Sequence, residues 1–143
     1  MEDKVMWAYE HSVETTVAAA AIWRLWADVA SWGRWNKDIE AVELRGSFAE
    51  GSTISMTPAG QDAVQLRLAE VRENELFVDE AEFAGVVLRT AHRLEQLDER
   101  RVRVTYRMEI TGSSADDLGP QIGPQITADF PETMAALVER AGA

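Results

Sequence analysis

The chain of 143 residues contains no cysteine. Disulfides, zinc–thiolate sites, iron–sulfur clusters and thiol nucleophiles are therefore excluded. Histidine is nearly as scarce: His11 and His92 are the two present, too few for a three-histidine metal site. No phosphate loop, dinucleotide fingerprint, Gly-x-Ser-x-Gly elbow or Asp-x-Asp-x-Asp-Gly loop occurs, so the sequence points to no cofactor and no metal. No run approaches the ~18 apolar residues of a membrane span. The opening Met-Glu-Asp-Lys lacks a basic flank and an apolar signal core, and the expected location is cytoplasmic. Cations are outnumbered, 14 Lys plus Arg against 25 Asp plus Glu, for a net charge of -11. Such a field repels phosphate backbones and anionic leaflets, so nucleic acid is not an expected partner.

What is present suits a folded chain. Hydrophobic residues make up 46% and charged residues 27%, an ordinary globular balance. A chain of this length can bury roughly two-thirds of its unfolded surface, and residues 1–143 read as one domain. Of the five tryptophans, Trp23, Trp26, Trp32 and Trp35 fall within thirteen residues.

Trp7 to Val13 places Trp7, Tyr9, His11 and Val13 on one parity, predicting a first strand with one buried face. Thr15 or Thr16 is placed to cap a helix, in which Ile22, Leu25 and Val29 form one apolar line and Trp23 and Trp26 cover a neighbouring face. Asp28 to Asn36 reads as a second short helix or turn. From Ile39 the period changes to two. Strands are expected at Ile39–Arg45, Ser52–Thr57, Val64–Arg72, Leu76–Phe83, Val86–Leu97 and Arg101–Thr111, with short polar or glycine-marked turns between them. Short connections demand an antiparallel sheet, because parallel strands need long crossovers.

Gly112 stops the last strand, and Ser113, Ser114, Asp116 or Asp117 can cap the final helix. Leu118, Ile122, Ile126, Phe130, Met134, Leu137 and Ala141 form a stripe at helical spacing. Pro124 and Pro131 each delete a hydrogen bond, which predicts a kinked or interrupted helix of about 25 residues, or roughly 35–40 Å. Gly119 and Gly123, four apart, suggest close packing. The expected architecture is α+β: a curved, seven-stranded antiparallel sheet wrapped around a long C-terminal helix, with two short helices after the first strand and an apolar cavity between sheet and helix.

The segment Ile22-Trp23-Arg24-Leu25-Trp26-Ala27-Asp28-Val29-Ala30-Ser31-Trp32-Gly33-Arg34-Trp35-Asn36 resembles the start of the START-like, or SRPBCC, superfamily, and most of all its polyketide cyclase/dehydrase branch. Leu44-Arg45-Gly46-Ser47-Phe48 and Glu50-Gly51-Ser52 resemble that family's next glycine-marked strands. His92-Arg93-Leu94-Glu95 with Arg101-Val102-Arg103-Val104-Thr105 is similar to its late hairpin, and Ile110-Thr111-Gly112 to the approach to its C-terminal helix. The resemblance covers nearly the whole chain. It implies the helix-grip fold and a ligand-sized apolar cavity. It does not fix one reaction, since the superfamily includes lipid and hormone binders as well as aromatase/cyclases.

The expected partner is a small hydrophobic ligand of polyketide, aromatic or lipid-like character. Met56, Leu68, Phe77 and Leu88 of the strands should line its cavity, with Tyr106 and Met108 beside them and Ile122, Ile126 and Phe130 of the helix above. Trp26 and Trp35 are placed near the mouth; the other reading of the tryptophans is that they pack the helices onto the sheet. His92 falls on the inner parity between Thr90 and Leu94, where it can act as acid or base in a cyclisation or dehydration while Tyr106 stabilises an enolate. Its alternative is a neutral, hydrogen-bonded core histidine. Asp79 shares the parity of Phe77 and Phe83, although the run Asp79, Glu80, Glu82 reads first as a solvated face. Arg100, Arg101, Arg103 and Arg107 form a basic stripe, available to an acidic partner in a co-chaperone-like role or to Glu95, Asp98 and Glu109 across the strands. A Trp-rich rim, if exposed, would bury itself in a homodimer.

Overall fold

The computed structural model describes residues 7–143, without the side chain of Phe83. The reading of the first four residues and the inward placement of Phe83 therefore lie outside the described residues. The order of elements is β1 (Trp7–Thr15), α1 (Ala19–Ala27), a 3-10 turn (Val29–Ser31), α2 (Trp32–Trp35), β2 (Ile39–Arg45), β3 (Thr53–Pro58), β4 (Val64–Arg72), β5 (Leu76–Phe83), β6 (Val86–Gln96), β7 (Val102–Thr111), α3 (Ala115–Thr127) and α4 (Phe130–Ala141). Seven strands form one antiparallel sheet in the order β1-β7-β6-β5-β4-β3-β2. With the C-terminal helices across one face, this is a helix-grip fold.

Tight connections set the topology. Asn74 and Ala84 take positive φ, 62° and 51°, at the β4–β5 and β5–β6 turns. Register shifts fall between Ile39 and Ala41 of β2 and between Leu68 and Glu70 of β4, and such bulges bend a sheet. The outer face carries the charge. Glu80 meets both Arg67 and Arg89, Arg101 meets Asp98 and Glu14, Arg103 meets Glu95, and Arg107 meets Glu10 and Glu109. Three of the four arginines of the basic stripe are thus occupied by carboxylates of this chain. Each such exposed pair contributes little stability.

The helix caps differ from expectation. Thr15 belongs to β1, and its hydroxyl accepts from the Val17 amide at 3.1 Å, while the N-cap of α1 is Ala18. Ser114 caps α3 by position, without a side-chain bond, and Asp116 and Asp117 place negative charge in the first turn, where it complements the free amides. The final helix is interrupted between Thr127 and Phe130. Pro120 and Pro124 lie inside α3, but Pro131 opens α4 instead of bending it, because a first-turn residue needs no N–H partner.

The buried face of α3 also departs from the apolar stripe. Ala115, Gly119, Gly123 and Thr127 are the buried residues, while Leu118, Ile122 and Ile126 are half-buried on the flank. The cause is Trp7 of β1: a Cβ on Gly123 would come within 2.5 Å of its indole ring. A large ring on the edge strand leaves room only for a bare helix backbone. Gly112 is tighter still. Its φ is +113°, and a Cβ there would sit 2.5 Å from the Gly85 carbonyl oxygen and 3.0 Å from the Val86 Cα. Both obstacles are backbone and cannot rotate away. Gly112→Ala should cost about 2–3 kcal/mol from strain and overpacking; a loss under about 0.5 kcal/mol in urea unfolding would contradict this packing.

Candidate functional site

Register assembles the inner face in rows. Leu68 pairs with Asp79, Asp79 with Thr90, Thr90 with Met108 and Met108 with Tyr9. The neighbouring row runs Phe77, His92, Tyr106, His11, and the next Ala81, Leu88, Ile110, Trp7. Of the residues expected to line a cavity, Leu68, Phe77, Leu88, Tyr106 and Met108 are buried, and Met56, Ile122, Ile126 and Phe130 are half-buried.

Around Trp26 the face is filled by rings. Trp26 is fully buried at the centre of the core, not at a mouth. Its ring meets Phe77 edge-on at 5.2 Å, His92 at 5.9 Å and Trp23 at 6.1 Å between centroids. Its Nε1–H donates to the Tyr106 hydroxyl oxygen at 3.1 Å, and its carbonyl accepts from the Trp32 indole at 3.0 Å. Phe48, which the sequence did not single out, closes on Trp23 and Phe77. Trp35 is buried too, with an indole N–H that has no partner among the described residues. The four clustered tryptophans are all interior, so they form no exposed rim for a dimer.

His92 lies flat on Phe77, centroids 3.9 Å apart and 5° between planes, and its Nδ1 faces the Phe77 carbonyl at 3.2 Å. That partner assigns the proton to Nδ1. Burial pushes its pKa down to about 3, outweighing the bond to Phe77. Burial thus favours the neutral ring, the state of a hydrogen-bonded core histidine. Burial pushes the Tyr106 phenol far above its ordinary range; the Trp26 bond opposes this and the charge of Asp79 adds to it. Tyr106 therefore stays protonated.

Asp79 is the feature that the acid-rich run concealed. Glu80 points outward to two arginines, whereas Asp79 points inward and is 8% exposed. Its strand neighbours on this face are Leu68 and Thr90. Burial, and secondarily the charge of Glu80, pushes its pKa up to about 7. The signal that locates it is the parity with Phe77, and the reading of the run as a solvated face is wrong for this residue. The β4 bulge after Leu68 lies directly beside it.

Two concavities stand out among the described residues. One of about 400 Å³ lies among Thr16, Ala18, Gln96, Glu99, Arg100 and their neighbours, and the other, about 340 Å³, surrounds the Ala84-Gly85 turn. Neither is lined by Asp79, His92 or Tyr106. The expected cavity is not open around Trp26, because aromatic side chains occupy that volume.

A curved antiparallel sheet gripping C-terminal helices over an apolar inner face defines the START/Bet v 1-like class of fold. Among solved structures, the chain is similar to Zhui aromatase/cyclase from Streptomyces sp. R1128, with 17% identity, 94% of this chain and 93% of that chain covered and a TM-score of 0.76. It is similar to norcoclaurine synthase from Thalictrum flavum, at 13% identity, 94% and 92% coverage and a TM-score of 0.75. It is also similar to a START superfamily protein from Mycobacterium smegmatis, at 14% identity, 94% and 97% coverage and a TM-score of 0.74. No family model and no curated protein sequence matches the chain. At these identities the likeness establishes the fold.

Proposed function

We propose that the chain binds a small hydrophobic molecule of polyketide, aromatic or lipid-like character on the concave face of the sheet, beneath α3. Asp79 carries this reading: a largely buried carboxyl on the inner face, flanked by Leu68 on β4 and Thr90 on β6. Burying a carboxyl costs stability that a polar contact from a bound ligand would offset. The half-buried flank of Leu118, Ile122 and Ile126, packed against the core, gives a ligand apolar surface to cover. Pro120 and Pro124 remove backbone bonds from the same helix, which eases its displacement as a ligand enters. An aromatase/cyclase and a ligand-bound norcoclaurine synthase of the same fold support the reading by analogy.

The test is a titration with 2-ethylnaphthalene, followed by NMR of the tryptophan indole N–H signals. A saturable shift of the Trp26 signal at micromolar ligand is expected. Absence of any saturable shift up to the solubility limit would reject the proposal.

A further inference from the structure

We infer that Phe48 occupies the seat of a ligand's aryl ring on the concave face, and that a neutral aromatic ligand binds by displacing it, a sharpening that rests on the binding reading above. The inner face has no open volume around Trp26, so a ligand entering there must move a side chain. Trp23 and Trp26 belong to α1, Trp32 to α2, Phe77 to β5, His92 to β6 and Tyr106 to β7. Moving any of these disturbs a helix or the sheet ladder. Phe48 instead sits on the connection between β2 and β3, and it is half-buried where the other six are buried. Neither its N–H nor its carbonyl forms a hydrogen bond among the described residues. The connection is tied to β4 beyond Phe48: the Gly51 amide donates to the Leu68 carbonyl oxygen at 2.8 Å, and the Leu68 amide to the Ser52 carbonyl oxygen at 2.9 Å. Gly46 and Gly51, at φ +99° and +90°, flank the arm that carries the ring. Phe48 can therefore swing out with the ties to β4 intact.

The walls of the seat select its occupant. The Phe48 ring meets Trp23 at 5.7 Å with 74° between planes, and Phe77 at 5.2 Å with 67°. Trp26 stands edge-on to both of these walls, 6.1 Å from Trp23 and 5.2 Å from Phe77. Edge-to-face contacts depend on the charge distribution of the ring as well as on its area. A flat aromatic ring therefore replaces Phe48 better than a saturated ring of similar outline. The walls carry no charge, so a charged group would lose its hydration there without a counter-ion. An anion would also face the net charge of -11. Ligand and Phe48 compete for one seat. The apparent affinity is then the intrinsic affinity multiplied by the fraction of molecules in which Phe48 is out.

The experiment titrates the unmodified chain, Phe48→Ala and Phe48→Leu with 2-ethylnaphthalene and with its saturated counterpart, 2-ethyldecalin. Removing the competing ring should tighten 2-ethylnaphthalene about tenfold in Phe48→Ala, the gain expected when Phe48 is out in about a tenth of the molecules. Phe48→Leu keeps apolar bulk without a ring. It should give a smaller gain, about threefold, and it serves if the alanine variant fails to fold. The gain for 2-ethyldecalin should be the smaller of the two in each variant. In the unmodified chain, nuclear Overhauser contacts should join the naphthalene protons to the rings of Trp23 and Phe77. Affinity for 2-ethylnaphthalene unchanged in both variants, equal gains for the two hydrocarbons, or contacts that miss Trp23 and Phe77 would overturn the displaced seat. Binding of 2-ethylnaphthalene to the unmodified chain would in each of those cases leave the broader reading in place. Binding of neither probe to any of the three proteins would overturn both.

Discussion

Replacing Trp26 with alanine should destabilise the chain by about 3–5 kcal/mol, a range set by the lost burial of an aromatic ring and the cavity left behind. Trp26 is fully buried and touches the rings of Trp23, Phe77, His92 and Tyr106. It joins α1 to β5, β6 and β7 at once, so the surrounding side chains belong to rigid elements and cannot collapse into the space. Its indole N–H adds a specific bond to Tyr106. Trp26→Phe keeps most of the apolar contact and removes that bond, and should cost about 1–2 kcal/mol. Trp35→Phe is the control. The Trp35 N–H is buried without a partner among the described residues, so its removal should cost less than the same change at Trp26. Urea unfolding of the three variants reads this directly. A Trp26→Ala loss under about 1 kcal/mol, or equal effects of the two Phe variants, would be incompatible with the packing described.

The strands were legible because their signal is local. Alternation across Ile39–Arg45, Val64–Arg72 and Leu76–Phe83 gives those boundaries as the structure has them, since a half-buried strand repeats every two residues whatever lies above it. The long interrupted C-terminal helix was legible for the same reason. Features that depend on what an element meets were not. The spacing of Leu118, Ile122 and Ile126 marks an apolar flank, but only the position of Trp7 turns the glycine face inward. Trp26 reads as part of a cluster whose depth depends on the angle of α1. His92 falls on the inner parity, yet the stacked Phe77 that helps keep its ring dry belongs to the adjacent strand, and register is needed to bring the two together. Asp79 was hidden by composition: three acids in a short run look like one surface, while the pleat sends neighbours to opposite faces.

Asp79→Leu should stabilise the chain by up to about 4 kcal/mol at pH 8 and by little at pH 4. Burial moves the Asp79 pKa from 3.8 to about 7, and linkage converts that displacement into about 4 kcal/mol. The sign follows from proton counting. Below 3.8 the carboxyl is neutral in both the folded and unfolded states and contributes no pH-dependent penalty. Between 3.8 and 7 the folded chain holds the proton more tightly than the unfolded chain, so stability falls as pH rises. Above about 7 the penalty is complete. The exposed Asp98, whose pKa is lowered first by its bond from the Arg100 amide, acts in the opposite sense, and stability from that source is lost as pH falls. It is common to both proteins and cancels when the variant is subtracted from the unmodified chain. The difference in unfolding free energy should therefore open between about pH 4 and pH 7 and then level off. A difference independent of pH would mean that Asp79 is solvated after all. A leucine of similar length fits the row between Leu68 and Thr90, so the carboxyl is not required to fill space.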